Sequence, residues 1–377
     1  MPRAAKRHGV SSAGVLSLEA AIHVMPKLHV HCHLEGTLRP QTFLELTERD
    51  GISTRYEPST SARGAHAGGD TSQGPRDLDT VYHFADFTEF LLIFAAVSRA
   101  LRLPEDYARM AREFVADARA RNVVYGELFV SPSVWRFFHP GLDVREATAA
   151  IVGELRRASK GDAEFALIFD VTRNFGPKSA METARLAAAL AGDGVIGIGL
   201  GGDEARYPAE LFADAFAFAR AQGLHTVAHA GEAAGSQSVC AAIERLGAER
   251  IGHGIRALED PDVVAMLVQR NVPLEICPTS NFSTGVADRR KPHPIVDLDA
   301  AGIPIVIDAD DPALFGTSID AEYRYVAETL GFEQLTRFVE NAIEASFASE
   351  ERKRALRERV CPELAALRRN GMSDAPS

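Results

Sequence analysis

The chain has 377 residues, a formal net charge of -11 and 46% hydrophobic residues. An acid excess of this size, without a basic stripe carrying interleaved aromatics, argues against nucleic acid or an anionic membrane as partner. The length suffices to bury a large core without disulfides, and Cys32, Cys240, Cys277 and Cys361 fit no zinc-knuckle or CxxC spacing, so reduced thiols in a cytoplasmic protein are expected.

In chain order, residues 1–24 read as an N-terminal extension. Arg3, Lys6 and Arg7 precede an apolar stretch that Glu19 and His23 interrupt, which makes a poor signal peptide. The longest apolar run, from Phe90 to Val97, is far too short to span a bilayer. Residues 25–377 are expected to form one domain. β-rich runs occur at 27–34, 123–131, 164–172, 195–201, 225–230, 250–254, 273–277 and 304–307. Stretches with helical spacing lie between most of them, at 107–120, 144–158, 179–191, 209–222 and 238–246. Strands alternating with helices predict a parallel sheet, and eight such units predict a closed (β/α)8 TIM barrel of the α/β class. An open doubly wound sheet with a second domain is the competing pattern. Polar residues at the strand ends (His33, Ser131, Arg173, Asp203, His229, His253, Ser280 and Asp310) favour the barrel, whose sites lie on that rim. Residues 57–76, rich in Ser, Gly and Ala, read as a mobile surface loop. The apolar, aromatic stretch 82–103 reads as lid helices inserted after the first strand. The tail beyond Gly331 reads as extra helices packed outside.

The first run is Leu28-His29-Val30-His31-Cys32-His33-Leu34. Side chains alternate along a strand, so His31 and His33 are expected on one face about 6–7 Å apart, able to grip one metal ion. With His229 and Asp310 they offer three imidazoles and a carboxylate. A catalytic zinc held this way keeps a position for water, whose pKa falls from about 15.7 towards 7. By alternation His29 would share that face, deeper in the barrel, either supporting the ligands or filling a structural role.

Glu232 follows His229 by three residues, where it could shuttle protons without binding the metal, or be an ordinary loop glutamate. His253, between two glycines, could orient or deprotonate a water, or stabilise charge. Asp311 beside Asp310 means little alone, since adjacent loop acids are usually solvated. Gly199-Leu200-Gly201-Gly202-Asp203-Glu204 lets backbone approach a ligand, or is simply a turn. That segment has no lysine, which disfavours lysine-bridged binuclear hydrolases. Arg173 could bind a substrate anion or make an internal salt bridge. Trp135, Phe137 and Phe138 could stack on an aromatic ligand or pack a lid.

Taken together, Pro26-Lys27, His31-Cys32-His33-Leu34-Glu35-Gly36-Thr37, 199–204, His229-Ala230-Gly231-Glu232, Gly252-His253-Gly254, Cys277-Pro278-Thr279-Ser280-Asn281 and Asp310-Asp311-Pro312 resemble the adenosine deaminase family of metal-dependent amidohydrolases. The resemblance runs in family order from Lys27 to about Tyr325. It implies a barrel with one Zn2+ held by His31, His33, His229 and Asp310. It implies Glu232 as proton donor to purine N1, His253 beside the attacking water, Asp311 at N7 and the Gly202 amide at N3. The implied reaction replaces a purine 6-amino group by oxygen and releases ammonia, with adenosine or a 5′-modified adenosine as small-molecule substrate.

The chain departs from the family pattern at three places. Glu35 stands where adenosine-specific members use Asp on the ribose. Glutamate there is commoner in relatives acting on adenine or on modified adenosines such as aminodeoxyfutalosine, which makes adenine deaminase and aminodeoxyfutalosine deaminase the alternatives. His29 stands where an acid is usual, and Asp308-Ala309 where Asn-Thr is usual. A catalytically silent relative is disfavoured because all the chemical residues are present. The unrelated nucleic-acid deaminases are excluded because their P-C-x-x-C partner is missing.

Overall fold

The computed structural model describes residues 16–56, 76–158 and 163–369, so the loop expected at 57–76 lies outside the described residues apart from Arg76. All eight expected strands form: β1 (Lys27–His33), β2 (Val123–Val130), β3 (Glu164–Thr172), β4 (Val195–Gly201), β5 (His225–Ala230), β6 (Arg250–His253), β7 (Leu274–Ile276) and β8 (Ile305–Ile307). They pair in sequence order, each parallel to the next. Closure comes from backbone beyond β8. Cys32 bridges to Asp310, His33 N donates to Asp310 O at 2.9 Å, and Asp310 N donates to His31 O at 3.1 Å. The architecture is the predicted (β/α)8 barrel. Because helices cover it, the strands are buried on both faces and read as near-continuous apolar runs; every residue of β2 is buried.

The helices follow the expected periodicity with two adjustments. The segment expected at 209–222 opens as a tight 3-10 turn, Ala209–Phe212, before the α-helix Ala213–Ala221. The one expected at 238–246 begins at Ser236, widens into a π turn over Ala242–Leu246 and stops at Gly247, whose φ of +65° suits glycine. The lid is a single helix, Phe87–Ala100. Asp86 caps its first turn by accepting from Glu89 N at 3.0 Å, and Phe90 stacks on Phe315 beyond β8 at 4.7 Å. No helix among the described residues is long and apolar enough to cross a membrane.

The tail corrects the sequence expectation. The amphipathic helix Phe332–Ala345 and the helix Glu350–Arg369 do pack outside, but the chain between them plugs the barrel floor. Phe347 packs with Phe129, Ile168 and Val227, and its N–H donates to Glu127 Oε1 at 2.5 Å. Arg250 lies 3.7 Å above the Phe347 ring and is fully buried between Glu127 (2.6 Å) and Glu275 (2.5 Å). Those two carboxylates hold the guanidinium charged despite its burial. Arg250→Met removes the only cation in this trio and leaves two buried acids without the guanidinium they share. The expected cost is about 3–5 kcal/mol of folding stability, read by urea unfolding; a loss below about 1 kcal/mol would contradict this.

Candidate active site

β1 carries a register shift between His29 and Cys32, and this bulge breaks simple alternation. His31 and His33 face the barrel interior, whereas the His29 ring meets Phe114 on the helix Pro104–Ala120, centroids 6.2 Å apart. His29 Nδ1 lies 2.5 Å from Asp308 Oδ1. His29 therefore holds the β1–β8 seam and lies on the helix side of the sheet, not deeper on the ligand face.

His31, His33, His229 and Asp310 converge at the rim. His33 Nε2 and His229 Nε2 are 3.1 Å apart; Asp310 Oδ1 lies 3.4 Å from His31 Nε2 and 3.5 Å from His33 Nε2. Three of these four candidates are aimed by a partner behind them. His31 Nδ1 sits 2.5 Å from Glu275 Oε2, His229 Nδ1 donates to Leu200 O at 3.1 Å, and Ser280 Oγ donates to Asp310 Oδ2 at 2.7 Å. The Leu200 bond leaves the lone pair of His229 Nε2 facing the centre.

These groups fit a divalent cation. Three imidazoles and one carboxylate are a zinc-type donor set, and His31 Nε2 is buried with no hydrogen-bond partner. The donor atoms of His31, His229, His253 and Asp310 lie within 4.8 Å of one another, and those of His33, Asp310 and Asp311 form a second such group that shares Asp310. Burial lowers the His33 pKa to about 4 and pulls His229 well below the imidazole range, so both rings are neutral at pH 7, as ligation requires. Burial opposes charge on His31 too, but Asp310 and Glu275 outweigh it and raise its pKa; a cation here would displace that proton. His253 and Asp310 both take left-handed backbone, with φ of +61° and +60°. Such strain costs about 1–3 kcal/mol per residue and clusters at functional sites.

Glu232 reaches this cluster from the turn after β5. Its Oε2 lies 3.7 Å from His253 Nε2, and burial, then Asp310 and Glu204, push its pKa well above the carboxylate range. That direction favours the protonated acid over the carboxylate. Glu204 fixes the turn: its carboxylate accepts from the N–H groups of Gly231 (2.6 Å), Glu232 (3.2 Å), Ala233 (2.7 Å) and Ala234 (2.8 Å). Sequence reading assigned Glu204 no task, although it ends a segment singled out for its glycines.

A cavity of about 280 Å³ opens on these groups. Glu232, His253, Asp310, Asp311 and Gly202 line its floor; Phe87, Phe90, Phe137, Phe138 and Phe175 line its mouth. Asp311 rests on Gly36, where a Cβ would fall 2.0 Å from Asp311 Oδ1, so only glycine leaves room for this carboxyl. Burial, then the neighbouring Asp310, raises the Asp311 pKa, and its Oδ1 is buried with no hydrogen-bond partner. Gly202 has a φ of +93°.

Three candidates sit elsewhere. Glu35 is fully buried off the cavity wall, accepting from Ser131 N and Trp135 Nε1, both at 2.8 Å, and burial raises its pKa to about 7. Glu35 is not among the residues that line the cavity, and its Oε2 is buried with no hydrogen-bond partner. Trp135 is buried with it, leaving Phe137 and Phe138 as the aromatics of that helix that line the cavity. Among the described residues Arg173 makes no salt bridge, and it does not line the cavity. It donates to Tyr207 O (2.6 Å) and His229 O (2.7 Å) and so braces the backbone of a metal-ligand candidate.

Residues 26–362 match the family described as adenosine deaminase. The chain belongs to that family. It is 36% identical to the aminodeoxyfutalosine deaminase of Streptomyces coelicolor over 338 residues, 88% of this chain and 82% of that one. It is 35% identical to the adenine deaminase of Rhizobium leguminosarum bv. trifolii over 339 residues, 89% and 99% of the two chains. An amidohydrolase from Burkholderia ambifaria, solved with bound zinc, superposes with a TM-score of 0.81 at 27% identity, covering 96% of each chain. As a member of the adenosine deaminase family, this chain is a hydrolase of the purine C6 amino group.

Proposed function

We propose that the chain converts adenosine or a 5′-modified adenosine to the inosine-type product and ammonia, with one zinc held by His31, His33, His229 and Asp310. The observation that carries this reading is a buried Glu232, its pKa raised by that burial, whose carboxyl stands 3.7 Å from His253 at the edge of the donor cluster. When bound, zinc supplies a nucleophile at neutral pH by lowering the pKa of water. Glu232 gives its proton to N1, which breaks the ring's aromaticity and opens C6 to addition. As a carboxylate it then takes the proton of the hydroxyl added at C6 and passes it to the amine, which leaves as ammonia. Asp311, whose pKa burial and the neighbouring Asp310 raise, donates to N7 in its protonated form, and the Gly202 amide faces N3.

With N1, N3 and N7 held on the floor, N9 points to the phenylalanine-lined mouth. The volume lies just below the roughly 300–1,000 Å³ of sites that enclose drug-sized ligands, which suits a nucleoside. No Lys or Arg among the described residues lines it, which argues against a 5′-phosphate. Free adenine is the second reading, favoured by Glu35, which is buried against Trp135 and absent from the residues that line the cavity. The test is kcat/KM, followed at the adenine absorbance band, for adenine, adenosine, deoxyadenosine, methylthioadenosine, aminodeoxyfutalosine and AMP. A nucleoside with an uncharged 5′ side is expected to lead; preference for adenine would promote the second reading, and preference for AMP would overturn both. Asp311→Asn is expected to lower kcat/KM about tenfold or more for every purine tested, and an effect confined to one substrate would remove Asp311 from N7.

A further inference from the structure

A buried hydrogen-bond chain runs behind His253. The backbone N–H of Ile295 donates to His293 Nδ1 at 3.1 Å. A main-chain N–H can only donate, so the proton of a neutral His293 ring sits on Nε2. Burial keeps that ring neutral, taking its pKa down to about 4. His293 Nε2 lies 3.2 Å from Asn281 Oδ1, so the amide oxygen accepts and the amide nitrogen turns the other way. Asn281 Nδ2 lies 3.1 Å from His253 Nδ1 and can only donate to it. All three side chains are buried, with no solvent to offer other partners. The direction of every bond thus follows from one backbone N–H, and it ends on His253 Nε2, which faces Glu232 Oε2 at 3.7 Å and Asp310 Oδ2 at 3.9 Å.

We infer that Asn281 and His293 are positioning residues that hold His253 with its proton on Nε2, so that His253 meets the oxygen adding at purine C6 as a hydrogen-bond donor, not as its base. The catalytic consequence rests on the deaminase reading; the tautomer does not.

The test reads the ring nitrogens of His253 by 15N NMR in the purified full chain, assigned by loss of its signals in His253→Gln. The proton is expected on Nε2 in the unaltered protein. Asn281→Asp keeps the shape but can only accept, so the proton is expected to move to Nδ1, with kcat falling tenfold or more and KM changing less than threefold. His293→Gln retains an amide N–H for Asn281 and is expected within threefold of the unaltered kcat, whereas His293→Leu is expected to fall at least tenfold. A proton on Nδ1 in the unaltered protein, an Asn281→Asp variant with unchanged tautomer and kcat, or equal kcat in the two His293 variants each overturns the proposal. If no purine is turned over, the NMR result stands alone, so failure of the deaminase reading is distinguishable from failure of this one.

Discussion

Glu232→Gln will keep its metal and lose most of its turnover. Glutamine matches glutamate in size and can still hydrogen-bond to N1, but it has no proton to give. The Glu204 carboxylate grips the turn through backbone N–H groups, which the substitution leaves in place. The loss therefore falls on the chemical step. A positioned general acid contributes about 10²–10⁴-fold, so kcat should fall by about that factor while KM stays within a few-fold. Steady-state kinetics with elemental analysis of the same sample checks both halves. A variant with full metal and near-normal kcat would remove Glu232 from the mechanism.

Asp310→Ala should be inactive for a different reason. Asp310 is the only carboxylate among the proposed ligands, and its charge offsets that of the cation. Its backbone also closes the barrel against β1, through bonds alanine can still make. The φ of +60° is harder on alanine than on aspartate, so some stability is lost as well. Metal per chain should drop from about one to near zero, with kcat at background, while circular dichroism still shows a folded barrel. Because removing a group that merely orients a ligand costs about 10–100-fold in metal affinity, loss of a ligand itself should exceed that. Retention of one metal per chain would take Asp310 out of the ligand set.

The barrel was legible because its signal is repeated. Runs of Val, Ile and Leu alternate with amphipathic stretches, and each run recovered as a strand to within about a residue. The convergence of His31, His33, His229 and Asp310 was legible because each sits at a strand end, where a closed parallel barrel collects side chains. What stayed hidden depends on backbone detail or on contacts between distant residues. Alternation along β1 gives the wrong side for His29 because a bulge falls beside it. Glu35 lies on a motif, yet its carboxyl turns to Trp135, a partner 100 positions away.

His29 and Asp308 show this most clearly. In the sequence they are two separate departures from the family pattern. In the fold they touch at 2.5 Å, and the Asp308 carboxylate also accepts from Val30 N (2.6 Å) and His31 N (2.9 Å). The acid expected on β1 stands beyond β8 instead, and a histidine faces it. Glu275, Glu127 and Arg250 were overlooked for a related reason: one charge inside an apolar run gives no sign of the opposite charge it meets across the barrel.

On this reading, pieces of chain far apart in sequence hold one ion beside a buried Glu232 that can give up a proton. Anomalous diffraction at the zinc edge from crystals of the protein as purified tests it most directly. The expected map has one strong peak per chain, about 2.0–2.2 Å from His31 Nε2, His33 Nε2, His229 Nε2 and an Asp310 oxygen. A peak elsewhere, or none in crystals of an active preparation, would contradict the account.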